Sequence, residues 1–243
     1  MALLAAGCGG RAAERAHGVA AAQKAVTHRC ADGAQRALGT KLSAVAAIVI
    51  RPTTAYRAPG RRPISRFALK NVNGAPTVFG VLAERVDHGC RATWLHVQLP
   101  IRPNGATGWV RAADVATARV HTRILVDLSQ RRVRLYENGR LALSSLAAIG
   151  SPATPTPPGR YYVNQRLFPA DPTGPFGPGA VGISAFSPVL TGWAQGGPIA
   201  IHGTNQPWSI GHDVSNGCIR LPNGVLRRLF SEAPAGTPVI IRP

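Results

Sequence analysis

Between Ile201 and Asn223 the chain reads IHGTNQPWSIGHDVSNGCIRLPN, its densest run of side chains able to do chemistry. The stretch holds His202, His212, Ser215, Cys218 and Arg220. Cys218 stands between Gly217 and the apolar Ile219, which is not the setting of an ordinary core cysteine. A glycine there lets the backbone come close to a substrate and turn N–H groups toward it. Acyl transfer needs such donors for its developing oxyanion. An unperturbed thiol, with a pKa of ~8.5, is mostly protonated at neutral pH. A neighbouring imidazole would deprotonate it and hold the resulting ion pair. His202 follows the apolar run Pro198 to Ile201 and so is expected at the end of a buried strand. Pro207 and Gly211 allow the intervening chain to loop back and bring Cys218 to it.

Two plainer readings stand beside this one. A single His and a single Cys can share a segment by coincidence. His202, His212 and Cys218 could also supply three zinc ligands, but their spacing fits no compact zinc pattern and no CxxC is present. No metal and no cofactor are therefore expected.

The blocks IHGTNQPWSIG and VSNGCIR resemble the active-site signature of the L,D-transpeptidases with a YkuD-type catalytic domain. That signature is His-Gly, a loop, then Ser/Thr-x-Gly-Cys-x-Arg/Asn. Upstream, VDLSQRRVRLYENG and GSPATPTPPGRYYV resemble the same domain's opening strands and its TPxG turn. FGPGAVGISAFSP resembles the segment before the His strand, so the likeness covers nearly all of residues 120–243.

The resemblance implies that Cys218 is the nucleophile and His202 its base, with backbone N–H groups at Gly217 and Cys218 holding the oxyanion. Ser215 is expected to shape the loop. Arg220 and Gly203 are the substrate-binding candidates, Arg220 either holding a stem carboxylate or pinning the loop. Family members often carry a second His where this chain has Asn216; His212 is expected to be an exposed loop residue rather than its replacement. The implied substrates are peptidoglycan stem peptides, joined into 3-3 cross-links through a cysteine thioester. Alternatives are an L,D-carboxypeptidase, in which water resolves the thioester, and a non-catalytic wall-binding protein. Papain-like wall peptidases place Cys before His in the chain, the reverse of the order here.

The elements that must position these residues read as mainly β. The composition, with 27 Gly and 21 Pro, favours turns over long helices. In residues 120–243 the run ILVDLSQRRVRLYENGRLALSSLAAIG predicts three strands, with Asn138-Gly139 as a hairpin turn. GRYYVNQ, GISAF and PIAIHG add strands, and TPVIIR predicts a central one. PNGVLRRLFSEA predicts the one helix. Its apolar face is Val225, Leu226, Leu229 and Phe230, Asn223 is its expected cap, and Pro234 and Gly236 stop it. The expected catalytic domain is thus a YkuD-type β-sandwich with few helices.

Residues 44–118 predict a separate small barrel of short strands, with a turn at Pro59-Gly60. Trp94 to Val115 resembles a bacterial SH3-like module, with Trp94 and Trp109 as core or rim aromatics. This unit is expected to fold alone and to add wall affinity rather than chemistry. Residues 1–43 read as a signal-like start and a tether.

The net charge of +18 raises nucleic-acid binding, but the basic residues are scattered and no aromatic platform accompanies them. No nucleic-acid partner is expected; an anionic cell-wall polymer suits such a field better. No apolar run reaches the ~20 residues of a membrane helix. MALLAAGCGG resembles the tail of a bacterial lipoprotein signal, with Cys8 as the lipidated residue, although a basic start is missing. An exported monomer in the cell envelope is expected, with membrane attachment through Cys8 as one option. Cys30 and Cys90 remain, either bridged in an oxidising compartment or as two separate thiols.

Overall fold

Short runs of β-branched and aromatic residues, broken by Gly, Pro and Asn, become strands almost wherever they occur. The computed structural model describes residues 29–243. Its first unit comprises β1 (Gln35–Ala37), β2 (Ala44–Val49), β3 (Thr53–Ala58), β4 (Arg61–Phe67), β5 (Val78–Val86), β6 (Ala92–Gln98), β7 (Thr107–Arg111) and β8 (Val115–Val120). These form one sheet in the order β4-β3-β7-β6-β5-β2-β8, with β1 paired to β5. Its inner face alternates with an outer one: Leu95, Val97 and Val110 are buried in the core. Trp94 and Trp109 lie on the opposite, half-buried face, so both are rim residues. Trp109 stacks on His96, ring centroids 4.9 Å apart.

The segment expected to be a tether contributes β1 to this sheet. It is anchored at its start by a disulfide from Cys30 to Cys90, in the turn between β5 and β6. Cys8 lies outside the described residues.

The second unit comprises β9 (Thr122–Asp127), β10 (Arg132–Glu137), β11 (Arg140–Leu146), β12 (Ile149–Gly150), β13 (Gly159–Leu167), β14 (Ala180–Phe186), β15 (Pro198–His202), β16 (Asp213–Ser215), β17 (Ile219–Arg220), the helix α1 (Asn223–Glu232) and β18 (Pro238–Arg242). The long sheet runs β11-β10-β9-β18-β13-β14-β15-β17. TPVIIR is the expected central strand: β18 lies parallel to β9 and antiparallel to β13. The first half of β13 pairs with β18 and its second half with β14. Strands on both sides of β13 close over one core, which holds Ile124, Val133, Ile183, Ile201 and Leu226 together. α1 buries Leu226 and Leu229 against that core. Asn223 does not cap it; Pro222 occupies the cap position, with no side-chain hydrogen bond.

The two units are in contact, at one buried point and one exposed one. Tyr162 of β13 is buried, and its hydroxyl donates to the Val78 carbonyl of β5 at 3.0 Å. Gln98 Nε2 donates to the Arg160 carbonyl at 2.7 Å. Among the described residues no helix is long and apolar enough to cross a membrane.

Candidate active site

β15 and β17 are parallel neighbours, with Ile201 opposite Ile219 and His202 opposite Arg220. Ile199 and Ile201 point into the core, so Ala200 and His202 share the other face. Cys218 immediately precedes β17, and its Sγ accepts the Ala200 N–H at 3.4 Å. Strand pairing therefore brings the thiol beside β15 and the imidazole to its end. Cys218, His202, Ser215 and Arg220 line one cavity of about 430 Å³, together with Phe176 and Trp193. That volume is in the usual range of small-molecule sites.

The loop before Cys218 is held from several directions. The Ser215 hydroxyl donates to the Cys218 carbonyl and accepts the Gly217 N–H, the latter at 3.1 Å. Thr156, which opens the TPxG turn, and Thr154 just before it donate to the Gly217 and Ser215 carbonyls at 2.8 and 2.9 Å. Gly217 has φ +105° and its α-carbon faces Ile199: an added Cβ would lie 3.0 Å from Ile199 Cδ1. Only glycine takes this backbone conformation without strain. The Gly217 N–H expected to face an oxyanion is engaged inside the loop, and Gly217 does not line the cavity.

His202 is buried, with the Phe176 ring edge-on to it at a centroid distance of 5.0 Å. Its Nδ1 lies 2.5 Å from the Gly203 carbonyl oxygen. A carbonyl can only accept, so Nδ1 carries the proton and Nε2 of the neutral ring is the acceptor. Burial lowers its pKa to about 4; the Gly203 carbonyl raises it and the Arg220 charge lowers it. Burial raises the Cys218 thiol, against the Ala200 N–H and Arg220, which lower it. Both shifts favour thiol and neutral imidazole at neutral pH over the expected ion pair. No hydrogen bond joins the two side chains.

Arg220 donates to Gln206 Oε1 at 2.8 Å, which pins the loop after β15. Gly203 is buried and does not line the cavity. It packs against Gly177 and Asn223 too closely to admit a Cβ. Asn223 Oδ1 accepts the Thr204 N–H at 2.8 Å. Asn216 is an exposed cavity residue, and His212 is exposed and outside the cavity.

Sequence reasoning did not assign roles to Phe176, Thr154 or Thr156. Thr156 had a signal, as the threonine of the TPxG turn. Asn223 also had one but was read as a cap.

The L,D-transpeptidase catalytic domain model of the YkuD family matches residues 121–241. The Bacillus licheniformis protein named for L,D-transpeptidase YkuD is 41% identical over 121 residues, 50% of this chain and 66% of that protein. Its Bacillus subtilis namesake is 37% identical over 118 residues, 49% of this chain and 64% of that protein. The chain thus spans slightly less than two thirds of these relatives' lengths. The NMR structure of the catalytic domain of an Enterococcus faecium L,D-transpeptidase is 27% identical, with TM-score 0.37, covering 50% of this chain and 96% of that one. Through residues 121–241, this chain belongs to the YkuD family of L,D-transpeptidase catalytic domains.

Proposed function

We propose that the protein is a peptidoglycan L,D-transpeptidase that forms 3-3 cross-links through a thioester on Cys218. The observation that supports this most directly is the meeting of Cys218, His202 and Arg220 around one cavity within the family's catalytic domain.

In this reading the Cys218 sulfur attacks the carbonyl after the third residue of a stem tetrapeptide. Because thiol and imidazole are both neutral at rest, the proton moves to His202 Nε2 as the C–S bond forms. The carbonyl oxygen becomes an oxyanion, for which the Cys218 N–H is the candidate donor. The C–N bond to the terminal D-alanine then breaks. His202 returns the proton to the leaving amine, and the thioester remains. A side-chain amine on the third residue of a second stem attacks the thioester. It loses a proton to His202 and displaces the thiolate, which regains that proton. Arg220 holds the loop at Gln206 and supplies positive charge beside the reacting groups. Such chemistry belongs in the cell envelope, and the net charge of +18 suits an anionic wall.

Incubating the protein with purified disaccharide-tetrapeptide and reading the products by mass tests this. Dimers that have lost one D-alanine are expected. Tripeptides alone would make it a carboxypeptidase, and no product would leave a wall-binding role.

A further inference from the structure

The stretch from Ser187 to Gly197 links β14 to β15 and brings Trp193 and Gln195 onto the cavity that contains Cys218. It has no strand of its own and is gripped from the first unit. Arg102 Nη2 donates to the carbonyls at both of its ends, Ser187 at 2.7 Å and Gly196 at 2.5 Å. The same guanidinium lies over the Phe186 ring, 5.4 Å from its centroid. Asn104 both donates to the Phe186 carbonyl and accepts its N–H, each at 2.8 Å.

Asn73, in the turn between β4 and β5, reaches further. Its Nδ2 donates to Gln195 Oε1 at 3.3 Å and to Gln165 Oε1 at 3.1 Å. Its Oδ1 accepts from Gln195 Nε2 at 2.9 Å. Asn73, Gln165 and Gln195 all line the same cavity as Cys218.

We propose that the first unit builds one wall of the active site, with Asn73 and Arg102 as positioning residues that hold the Ser187–Gly197 segment against the donor stem peptide. The geometry suits this work. A guanidinium that clasps both ends of a segment fixes its path, because its planar donors demand fixed acceptor positions. The reciprocal amide pair between Asn73 and Gln195 then fixes the rotation of the segment's inner side. What remains facing the cleft is a set of side-chain amides and the Trp193 ring, a surface matched to the amide groups and apolar faces of a peptide. Neither Asn73 nor Arg102 touches the thiol or the imidazole. Their loss should therefore change substrate binding and leave the intrinsic chemistry alone.

The substrate part of this proposal rests on the transpeptidase reading; the gripping of the segment does not. The test uses the full chain with Asn73→Ala and Arg102→Ala, and three measurements. Hydrogen exchange of residues 187–197 should rise about tenfold or more in each variant, with the core strands unchanged. Alkylation of Cys218 by iodoacetamide should stay within about twofold of wild type, because burial and hydrogen bonding of the thiol are untouched. KM for disaccharide-tetrapeptide should rise about fivefold or more, with kcat changed less. Unchanged exchange at 187–197 would overturn the proposal whatever the enzyme does. So would increased exchange throughout both units, with alkylation altered in step, which marks general loosening. If exchange rises locally and wild type turns over no tetrapeptide, the positioning stands and the transpeptidase reading falls.

Discussion

Asn223 Oδ1 accepts the Thr204 N–H at 2.8 Å, so the first turn of α1 is tied to the chain two residues past His202. The same oxygen packs against Gly203, whose carbonyl sets the His202 tautomer. One side chain at a helix start thereby fixes the exit of the strand that carries the candidate base. Asn223→Ala should cost ~1–2 kcal/mol of stability through the unpaired Thr204 N–H. It should also lower kcat about tenfold or more by releasing the imidazole. Asn223→Asp keeps the acceptor and should recover most of the lost kcat. If both variants lose activity only in proportion to their lost stability, Asn223 serves the fold and not the site.

Cys218→Ala should abolish cross-linking and the acyl adduct formed with disaccharide-tetrapeptide while changing stability by less than about 1 kcal/mol, since the thiol makes only long contacts to the strand beside it. Intact-mass spectra decide this: an adduct on the Cys218→Ala protein would place the nucleophile elsewhere.

The buried histidine makes a prediction about pH. His202 in the folded chain has a pKa of about 4, against ~6.5 when unfolded. Between those values the unfolded chain binds a proton that the folded chain does not, so stability rises with pH. The contribution is fully present above ~6.5 and falls by ~3 kcal/mol as the pH drops to about 4. Asp127 acts in a lower window. Hydrogen bonds from Arg242 and Ser129 lower its pKa to about 2, so its contribution is present above ~3.8 and lost as pH falls through about 2. Urea unfolding from pH 4.5 to 7 should therefore show a slope in wild type that His202→Gln flattens. The acid limb of kcat/KM should lie near 4 as well; a limb at 6 to 7 would mean that the imidazole is not held neutral.

The same electrostatics separates two roles for His202. With no ion pair at rest, alkylation of Cys218 should rise only above the ordinary thiol range, following the raised pKa. His202→Gln should barely change that alkylation profile yet remove turnover, because the imidazole acts when the proton moves. A large drop in alkylation near neutral pH for His202→Gln would instead reveal a preformed thiolate–imidazolium pair.

Much of this was legible because its signals are local. Asn138-Gly139 joins β10 to β11, both with positive φ, as the dipeptide predicts. The glycine of Gly-Cys-Ile-Arg was marked by its position, and its φ of +105° gives the physical reason. What stayed hidden depends on contacts between distant residues. Gln165 and Gln195 meet Asn73 across 92 and 122 positions, and no pattern within one segment records such a pairing. Asn223 was misread because a side chain at a helix start has two satisfying partners, the helix's own N–H groups or a neighbouring strand's. The protonation of the Cys218–His202 pair was equally hidden, because burial, which shifts both groups toward their neutral forms, is a property of the folded site.

The buried contact between the units bears on truncation. A fragment beginning at residue 119 would expose Tyr162, which is only 2% exposed in the full chain and donates its hydroxyl proton to the Val78 carbonyl. Burial of such a side chain with its hydrogen bond is worth ~2–4 kcal/mol. The turn at Gly236, before β18, also packs directly on Ala46 of β2. One lost contact falls on β13 and the other on the turn leading into β18, the strands that join the two halves of the catalytic sheet. A domain stable by only ~5–15 kcal/mol has little reserve for such a loss. The fragment should therefore unfold at a lower urea concentration than the second unit within the full chain, and it should lose activity on soluble stem peptides as well as on intact wall. Tyr162→Phe in the full chain isolates the hydrogen bond and should cost ~1 kcal/mol with activity retained. A truncated protein that matches the full chain in stability and in kcat/KM on soluble peptides would show that the units are independent after all, and that the shared contacts contribute nothing to the site.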